Sequence, residues 1–155
     1  MRILLYWYDR FCRAASLLQS PFLLAVRLYW GWQFAQTGWG KLHSLAKITD
    51  FFTSLNIPFP MVNAHFVSDL EFVGGVLLIL GLGSRFISLL LAANMFVAYW
   101  TADHEALVAF FSDPDKFLAA APYTFLFASL LLLIFGPGWF AVDTLLRARL
   151  KDWKA

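Results

Sequence analysis

Long apolar stretches separated by short polar segments run through most of the chain. Four of them are long enough to cross about 30 Å of hydrocarbon as α-helices, and they cover residues 22–42, 62–82, 86–102 and 117–135. Only the segment Gly-Ser-Arg at 83–85 separates the second stretch from the third, which predicts an antiparallel hairpin, and Gly-Pro-Gly at 136–138 ends the fourth. We therefore predict an all-α fold, an integral membrane four-helix bundle that forms a single domain over residues 1–155.

Three shorter segments are amphipathic instead of uniformly apolar. The apolar face of the N-terminal segment collects Leu4, Trp7, Tyr8, Phe11, Ala15 and Leu18. The C-terminal segment does the same with Trp139, Val142, Leu146, Leu150 and Trp153. A third segment, before Pro58 and Pro60, contains Leu45, Ile48, Phe51, Phe52 and Leu55. Apolar residues at helical spacing beside charged ones are typical of helices that lie among lipid headgroups. We therefore predict short amphipathic interfacial helices at both termini and one after the first span.

The composition supports burial in a bilayer and excludes two classes of function. Hydrophobic residues make up 61% of the chain and charged residues 14%, whereas soluble domains carry about 25% charged residues. The formal net charge is +2 and the basic residues are not pooled, so no nucleic-acid partner is expected. Cys12 is the single cysteine, which excludes a thiol–disulfide oxidoreductase with paired thiols. The N-terminal apolar run breaks at Asp9 and Arg10, so we expect it to be retained and not cleaved as a signal peptide.

The distribution of basic residues predicts the orientation in the membrane. One side of the predicted bundle would hold Arg2, Arg10, Arg13, Arg85, Arg147, Arg149, Lys151 and Lys154. The opposite side would hold Lys41, Lys47 and Lys116. Because Lys and Arg concentrate in cytoplasmic segments, both termini are predicted to be cytoplasmic. The acidic segment 103–116 would then face outward.

Two ionisable residues fall inside predicted spans and are the first candidates for chemistry. Arg27 lies in the first span and Glu71 in the second. Charged groups inside a bilayer are costly, so they are usually paired or functional. An Arg27–Glu71 ion pair would fix the register of the two helices or take part in catalysis, and both interpretations stay open. Lys41, at the far end of the first span, is a second possible partner for Glu71.

Two amides in the spans lie at a similar depth to Glu71. Gln33 in the first span and Asn94 in the third would either hydrogen-bond between helices or contact a substrate. With Lys41 they form the predicted substrate-binding set, beside Arg27 and Glu71 as the predicted catalytic residues.

No metal site is predicted from this sequence. The histidines, His43, His65 and His104, match no ligand signature. No glycine-rich phosphate loop and no Cys–His constellation is present either.

Several of these residues also make up a pattern that resembles the DoxX family. The segments RLYWGWQFAQTGWGKL, IPFP and LEFVGGVLLILGLGSR carry the likeness. The matching positions are Arg27, Gly31, Gly38, Lys41, Glu71, Gly74, Gly75, Gly81 and Arg85. The match covers about residues 24–85, and the last two spans agree in hydropathy and order.

The resemblance implies a multi-pass protein of the bacterial inner membrane in a redox context, associated with sulfur metabolism or oxidative stress. We expect a membrane subunit of an oxidoreductase system that uses a quinone as cofactor, with Glu71 relaying protons and Arg27 or Lys41 stabilising an anionic oxygen or sulfur group. Partners would be the lipid bilayer and soluble redox enzymes, and a homo-oligomer is compatible with the pattern. The alternatives are a non-catalytic scaffold that docks soluble redox enzymes, and a small-molecule transporter.

Overall fold

The computed structural model describes residues 2–152, which form eight α-helices and no strand. The elements are α1 (Arg2–Leu42), α2 (Leu45–Ser54), α3 (Pro60–Leu80), α4 (Ser84–Thr101), α5 (His104–Val108), α6 (Pro114–Ala119), α7 (Pro122–Phe135) and α8 (Val142–Asp152). The predicted all-α class is confirmed. Trp153 and Lys154 lie outside the described residues, as do the side chains of Arg2, Arg147, Leu150 and Lys151.

Helix α1 corrects the prediction of a separate interfacial helix at the N-terminus. It runs without a break from Arg2 to Leu42, with Pro21 inside it. The proline removes one backbone donor, but the helix continues on both sides of it. Nearly all side chains before Ser20 are exposed, so this half of α1 projects beyond the other helices. At the C-terminus the predicted separate helix is present as α8.

The predicted fourth span is interrupted, and α7 begins later than expected. Ala120 is extended, at φ −66° and ψ 139°, and ends α6. Pro122 then occupies the first turn of α7, where its missing N–H removes no helical hydrogen bond. The apolar run at 117–135 hid this break because hydropathy alone does not register a proline that starts a new helix.

Only one helix among the described residues, α3, is both long and apolar enough by length and composition to cross a membrane. Helix α7 is apolar but shorter. The predicted first span carries Arg27, Gln33 and Gln36, and α4 carries Arg85 and Asn94. These polar side chains lower the mean hydropathy of α1 and α4, the two helices that alternate with α3 and α7 around the bundle.

Helices α1 and α3 pack antiparallel with their backbones in contact. A Cβ added to Gly31 would lie 2.9 Å from the carbonyl oxygen of Gly75, and one added to Gly38 would lie 2.8 Å from that of Ser68. A Cβ on Gly75 would likewise collide with the backbone nitrogen of Ala35. Small residues permit this approach, as they do in many membrane helix pairs. We call the two ends of the bundle the Lys41 end and the Arg27 end, after the residues of α1 that lie there.

The middle of the bundle is an apolar core formed by all four long helices. Leu23 and Phe34 from α1, Leu78 from α3, Leu91 from α4 and Leu132 from α7 are almost fully buried. Partly buried residues, among them Phe125, pack against this cluster. The core separates the polar groups at the Lys41 end from those at the Arg27 end.

Two short helices continue the chain at the Lys41 end after α4. Lys116 Nζ lies 2.9 Å from Glu105 Oε2 and joins α5 to α6. This hydrogen bond lowers the pKa of Glu105 and raises that of Lys116. The Tyr99 hydroxyl donates to the Phe117 carbonyl at 2.8 Å, so α6 is also hydrogen-bonded to α4.

The contact between α1 and α3 can be tested with two neighbouring glycines. We expect Gly38→Ala to lower the free energy of unfolding by about 1–3 kcal/mol or more, because its Cβ would overlap the α3 backbone. Apart from the adjacent backbone of its own helix, no heavy atom lies within 4 Å of a Cβ at Gly40. Gly40→Ala should therefore be neutral, or stabilising by roughly 0.5–1 kcal/mol through helix propensity. Thermal unfolding in detergent compares the two, and equal losses would contradict the packing.

Candidate functional site

A buried ion pair between Lys41 and Glu71 lies at the Lys41 end of the bundle. Lys41 Nζ donates to both carboxylate oxygens, at 2.6 Å to Oε1 and 2.7 Å to Oε2. The Glu71 side chain is 2% exposed and that of Lys41 is 31% exposed. Glu71 therefore depends on Lys41 for its charge partner, whereas part of the ammonium group remains accessible.

The antiparallel packing of α1 and α3 explains why these two residues meet. Gly38 contacts Ser68 and Phe72, so it lies at about the height of Glu71. Lys41 follows Gly38 by about one helical turn and therefore lies about one turn further from the middle of the bundle than Glu71. Helical side chains lean toward the N-terminus of their own helix. In antiparallel neighbours those directions are opposed, so the two side chains lean toward each other across the glycine contact.

Asn94 of α4 completes the group from a third helix. Its amide nitrogen Nδ2 donates to Glu71 Oε1 at 3.1 Å. No described residue donates a hydrogen bond to its amide oxygen. Three of the predicted site residues, Lys41, Glu71 and Asn94, are thus in direct contact. The group presents to its surroundings one amide oxygen and the accessible side of an ammonium.

A cavity of about 680 Å³ opens beside this group. Helix α2 supplies part of its wall, and α1, α3, α4 and the start of α7 supply the rest. Apolar lining residues include Ile48, Phe51, Phe52, Val67, Met95, Ala98 and Phe125. Small-molecule sites typically combine such an apolar wall with a few placed polar groups. Lys41, Glu71 and Asn94 are the charged and amide groups at the inner part of this wall.

Sequence reasoning missed several polar residues of the cavity. Thr37, Asn63, Thr101 and Asp103 all line it. Each was one hydrophilic residue near the end of an apolar stretch, a position where polar side chains are common. Thr37 carried a usable signal, because it lies one helical turn before Lys41 on the same face of α1.

The loop between α2 and α3 holds strained backbone next to the cavity. Asn56, which lines the cavity, has φ +55°, and Phe59 has φ +48°. Left-handed conformations are rare for a bulky residue such as phenylalanine, and each costs of order 1–3 kcal/mol. Asn63 Nδ2 donates to the Pro58 carbonyl at 2.6 Å and fastens the loop to α3. The IPFP segment therefore fixes where α2 lies over the cavity.

Arg27 does not pair with Glu71, which corrects the predicted ion pair. Its guanidinium donates to the carbonyl of Pro137 at 3.0 Å, of Phe140 at 2.7 Å and of Ile79 at 3.4 Å. Ile79 lies eight residues after Glu71 on α3, a separation of about 12 Å along the helix. Arg27 is 2% exposed. Its contacts satisfy one carbonyl at the C-terminal end of α3, where a cation is favoured, and two in the segment between α7 and α8.

Asp143 fastens the same C-terminal chain to the turn between α3 and α4. Its carboxylate accepts from the backbone N–H of Gly83 at 2.8 Å and of Ser84 at 2.9 Å. Its own N–H donates to the Gly81 carbonyl at 3.0 Å. An acidic side chain at the first turn of α4 is electrostatically favourable. Together with Arg27, it closes the Arg27 end of the bundle.

Gln33 is not part of the cavity wall. It is half-buried, and its backbone carbonyl accepts from the Thr37 hydroxyl at 3.1 Å. The rings of Phe34 and Phe125 pack 4.8 Å apart between their centroids. Phe125 lines the cavity, whereas Gln33 and Phe34 do not. Of the five predicted site residues, Arg27 and Gln33 therefore lie away from the three that meet.

The Lys41–Glu71 pair gives a prediction about stability. Lys41→Met should lower the free energy of unfolding by about 3–5 kcal/mol, because it leaves a buried carboxylate without its cation. The double variant Lys41→Met/Glu71→Leu should recover most of that loss, since no charge is then buried. Thermal unfolding in detergent measures both. A double variant as unstable as Lys41→Met would contradict the assigned pairing.

The contacts of Arg27 predict how the C-terminal chain is held. Arg27→Met should speed amide hydrogen exchange in residues 136–143, because each charged hydrogen bond it removes contributes about 1.5–3 kcal/mol. Arg85→Met is the matched control, since exposed Arg85 lies beside Gly136 but makes one long hydrogen bond, at 3.3 Å to the Ile134 carbonyl, which is outside residues 136–143. Hydrogen–deuterium exchange with mass spectrometry compares the two. Equal exchange in both variants would show that Arg27 does not hold this segment.

Comparison with known proteins assigns the chain to a family. The DoxX family profile matches residues 22–105, which include Lys41, Glu71 and Asn94 as well as Arg27. No curated protein and no solved structure matches the chain. The matched region covers more than half of the sequence, so the chain belongs to the DoxX family of membrane proteins.

Proposed function

We propose that this DoxX-family protein is a membrane subunit of a quinone-linked redox system and that the cavity beside Lys41, Glu71 and Asn94 binds the quinone. The observation that carries the proposal is a largely apolar cavity with a charged and hydrogen-bonding group in its inner wall. A quinone has the same division, with polar oxygens on an apolar ring and an apolar tail.

The residues of the cavity fit the two ends of such a ligand. Lys41 has a partly accessible ammonium that can donate to a ring oxygen. The Asn94 amide oxygen, which accepts no bond from the described residues, can accept from a ring hydroxyl. Phe51, Phe52 and Phe125 supply flat apolar surface for the ring and the first part of a tail.

A bound quinone would supply the chemistry of taking up two electrons and two protons. The protein groups would then hold and move protons. Glu71 is the carboxyl group of the cavity wall that is paired with Lys41, and it would be the group that takes up and releases the protons. Electrons would come from a partner enzyme, because the sequence contains no residue cluster that can store them.

We also propose that α1, α3, α4 and residues 117–135, which include α7, span the bacterial inner membrane, with both termini cytoplasmic. Large apolar side chains point outward along the bundle, including Phe66 and Val73 on α3, Phe86 and Phe96 on α4, and Ile134 on α7. Exposing apolar surface to water costs about 25 cal/mol per Å², and lipid removes that cost. The basic-residue bias supports the orientation.

The quinone proposal predicts a loss of affinity on removal of the lysine. Lys41→Met should weaken binding of a decyl-benzoquinone by roughly ten- to a hundred-fold, the equivalent of one charge-assisted hydrogen bond. Lys47→Met is the matched control, because Lys47 is exposed on α2 and does not line the cavity. Quenching of tryptophan fluorescence in detergent measures both. The proposal fails if the unaltered protein binds no quinone, or if both variants bind equally.

A further inference from the structure

All of the cavity lies on one side of Glu71. Its lining residues on α1 are Thr37 and Lys41, and those on α4 run from Asn94 to Thr101. The remaining wall comes from α2 and the loop that follows it, from α3 as far as Glu71, from residues between α4 and α7, and from the first turn of α7. Every one of these segments belongs to the Lys41 end of the bundle. Some of the lining residues lie at helix ends, among them Asn56, Asp103 and Ala121, and we call this part of the cavity its mouth.

The opposite side of Glu71 is packed with buried residues, mostly apolar, together with the buried hydroxyls of Ser84 and Ser88. Phe34, Leu78, Leu91 and Leu132 form a layer with no exposed surface. In the same half, α1 and α3 touch through backbone at Gly31. Interiors packed to this extent leave few voids that admit water. Beyond this layer, Arg27 and Asp143 hold the C-terminal chain against the turn between α3 and α4.

The charges on the cavity wall favour some solutes over others. Lys41 and Glu71 neutralise each other at 2.6–2.7 Å. Asp103 is the other charged residue in the described lining, so the wall carries a net negative charge near its mouth. A charged mouth enriches ions of opposite sign and depletes ions of its own sign. Small anions are therefore disfavoured, whereas protons, cations and neutral molecules are admitted.

We propose that the Lys41–Glu71–Asn94 group exchanges protons and ligands only with the Lys41 end of the bundle, through a mouth that disfavours small anions. A proton leaving the Glu71 carboxyl group would pass to water in this mouth and not to the Arg27 end. The inference rests on the proposed function in one respect: the protons of redox chemistry at this site would be exchanged on one side of the membrane. Access itself can be measured without any quinone.

The experiment measures which side of the membrane reaches a cysteine in the cavity. Cys12→Ser removes the native thiol, and Ala98→Cys and Thr101→Cys are then added singly as two independent reporters in the cavity wall. Ser88→Cys reports the closed side, about 9 Å along α4 from Asn94. In reference proteins, Ser112→Cys marks the Lys41 end and native Cys12 marks the other end. The proteins are reconstituted into vesicles and treated with impermeant cationic or anionic methanethiosulfonates on one side at a time.

We expect both cavity cysteines to react only from the side on which Ser112→Cys reacts, and Ser88→Cys to react from neither side. The cationic reagent should react several-fold faster than the anionic one, after normalisation to their rates with a free thiol in solution. Asp103→Asn should bring that ratio closer to one, because it removes the charge at the mouth. Ordinary thermal unfolding in detergent verifies that each variant is folded.

Three results would overturn the inference. Reaction of a cavity cysteine from the Cys12 side, or of Ser88→Cys at a comparable rate, would mean that the apolar layer is not a barrier. No reaction at either cavity position in folded protein would mean that the cavity is closed to solutes. If Asp103→Asn leaves the ratio of cationic to anionic reaction rates unchanged, the charge at the mouth does not select between ions. Quinone binding is measured separately by fluorescence quenching, so a failure of the access proposal and a failure of the quinone proposal are distinguishable.

Discussion

The backbone contact between α1 and α3 is the constraint on which the rest of the molecule depends. Gly31, Gly38 and Gly75 remove the side chains that would hold the helices apart. Close approach brings Lys41 within hydrogen-bonding distance of both Glu71 oxygens. An ion pair in a low-dielectric interior is favourable only with such geometry, because the cost of desolvating both charges must be offset. The glycine positions of the DoxX pattern therefore determine the electrostatics of the site as well as the packing.

The charged residues of the bundle are separated into two groups with different tasks. At one end, Lys41 and Glu71 adjoin an open cavity and keep part of their hydrogen-bonding capacity accessible. At the other end, Arg27 and Asp143 form hydrogen bonds with backbone groups of the C-terminal chain and of the α3–α4 turn. The apolar core lies between them. This separation places hydrogen bonds to the backbone at one end of the bundle and a cavity at the other.

The cavity owes its form to the chain between α1 and α3 as much as to the long helices. Helix α2 contributes Ile48, Phe51 and Phe52 to the wall but contains no buried residue of its own. It is positioned by a loop with strained backbone at Asn56 and Phe59. Strain of this kind persists where surrounding contacts determine the conformation. The amphipathic pattern of α2 thus puts apolar residues in the cavity wall, while polar residues such as Lys47 and Asp50 are exposed.

The sequence by itself determined the helical class and the helices α3 and α4, and it singled out Lys41, Glu71 and Asn94, three polar residues that the structure brings into contact. Periodicity, hydropathy and the rarity of ionisable groups in apolar stretches are local properties, so one chain is enough to identify them. Tertiary structure decided which cation pairs with Glu71, where Arg27 binds and which residues enclose the cavity. Those outcomes depend on the relative height of antiparallel helices and on the direction in which each side chain leans. Neither is encoded in the spacing within a single helix.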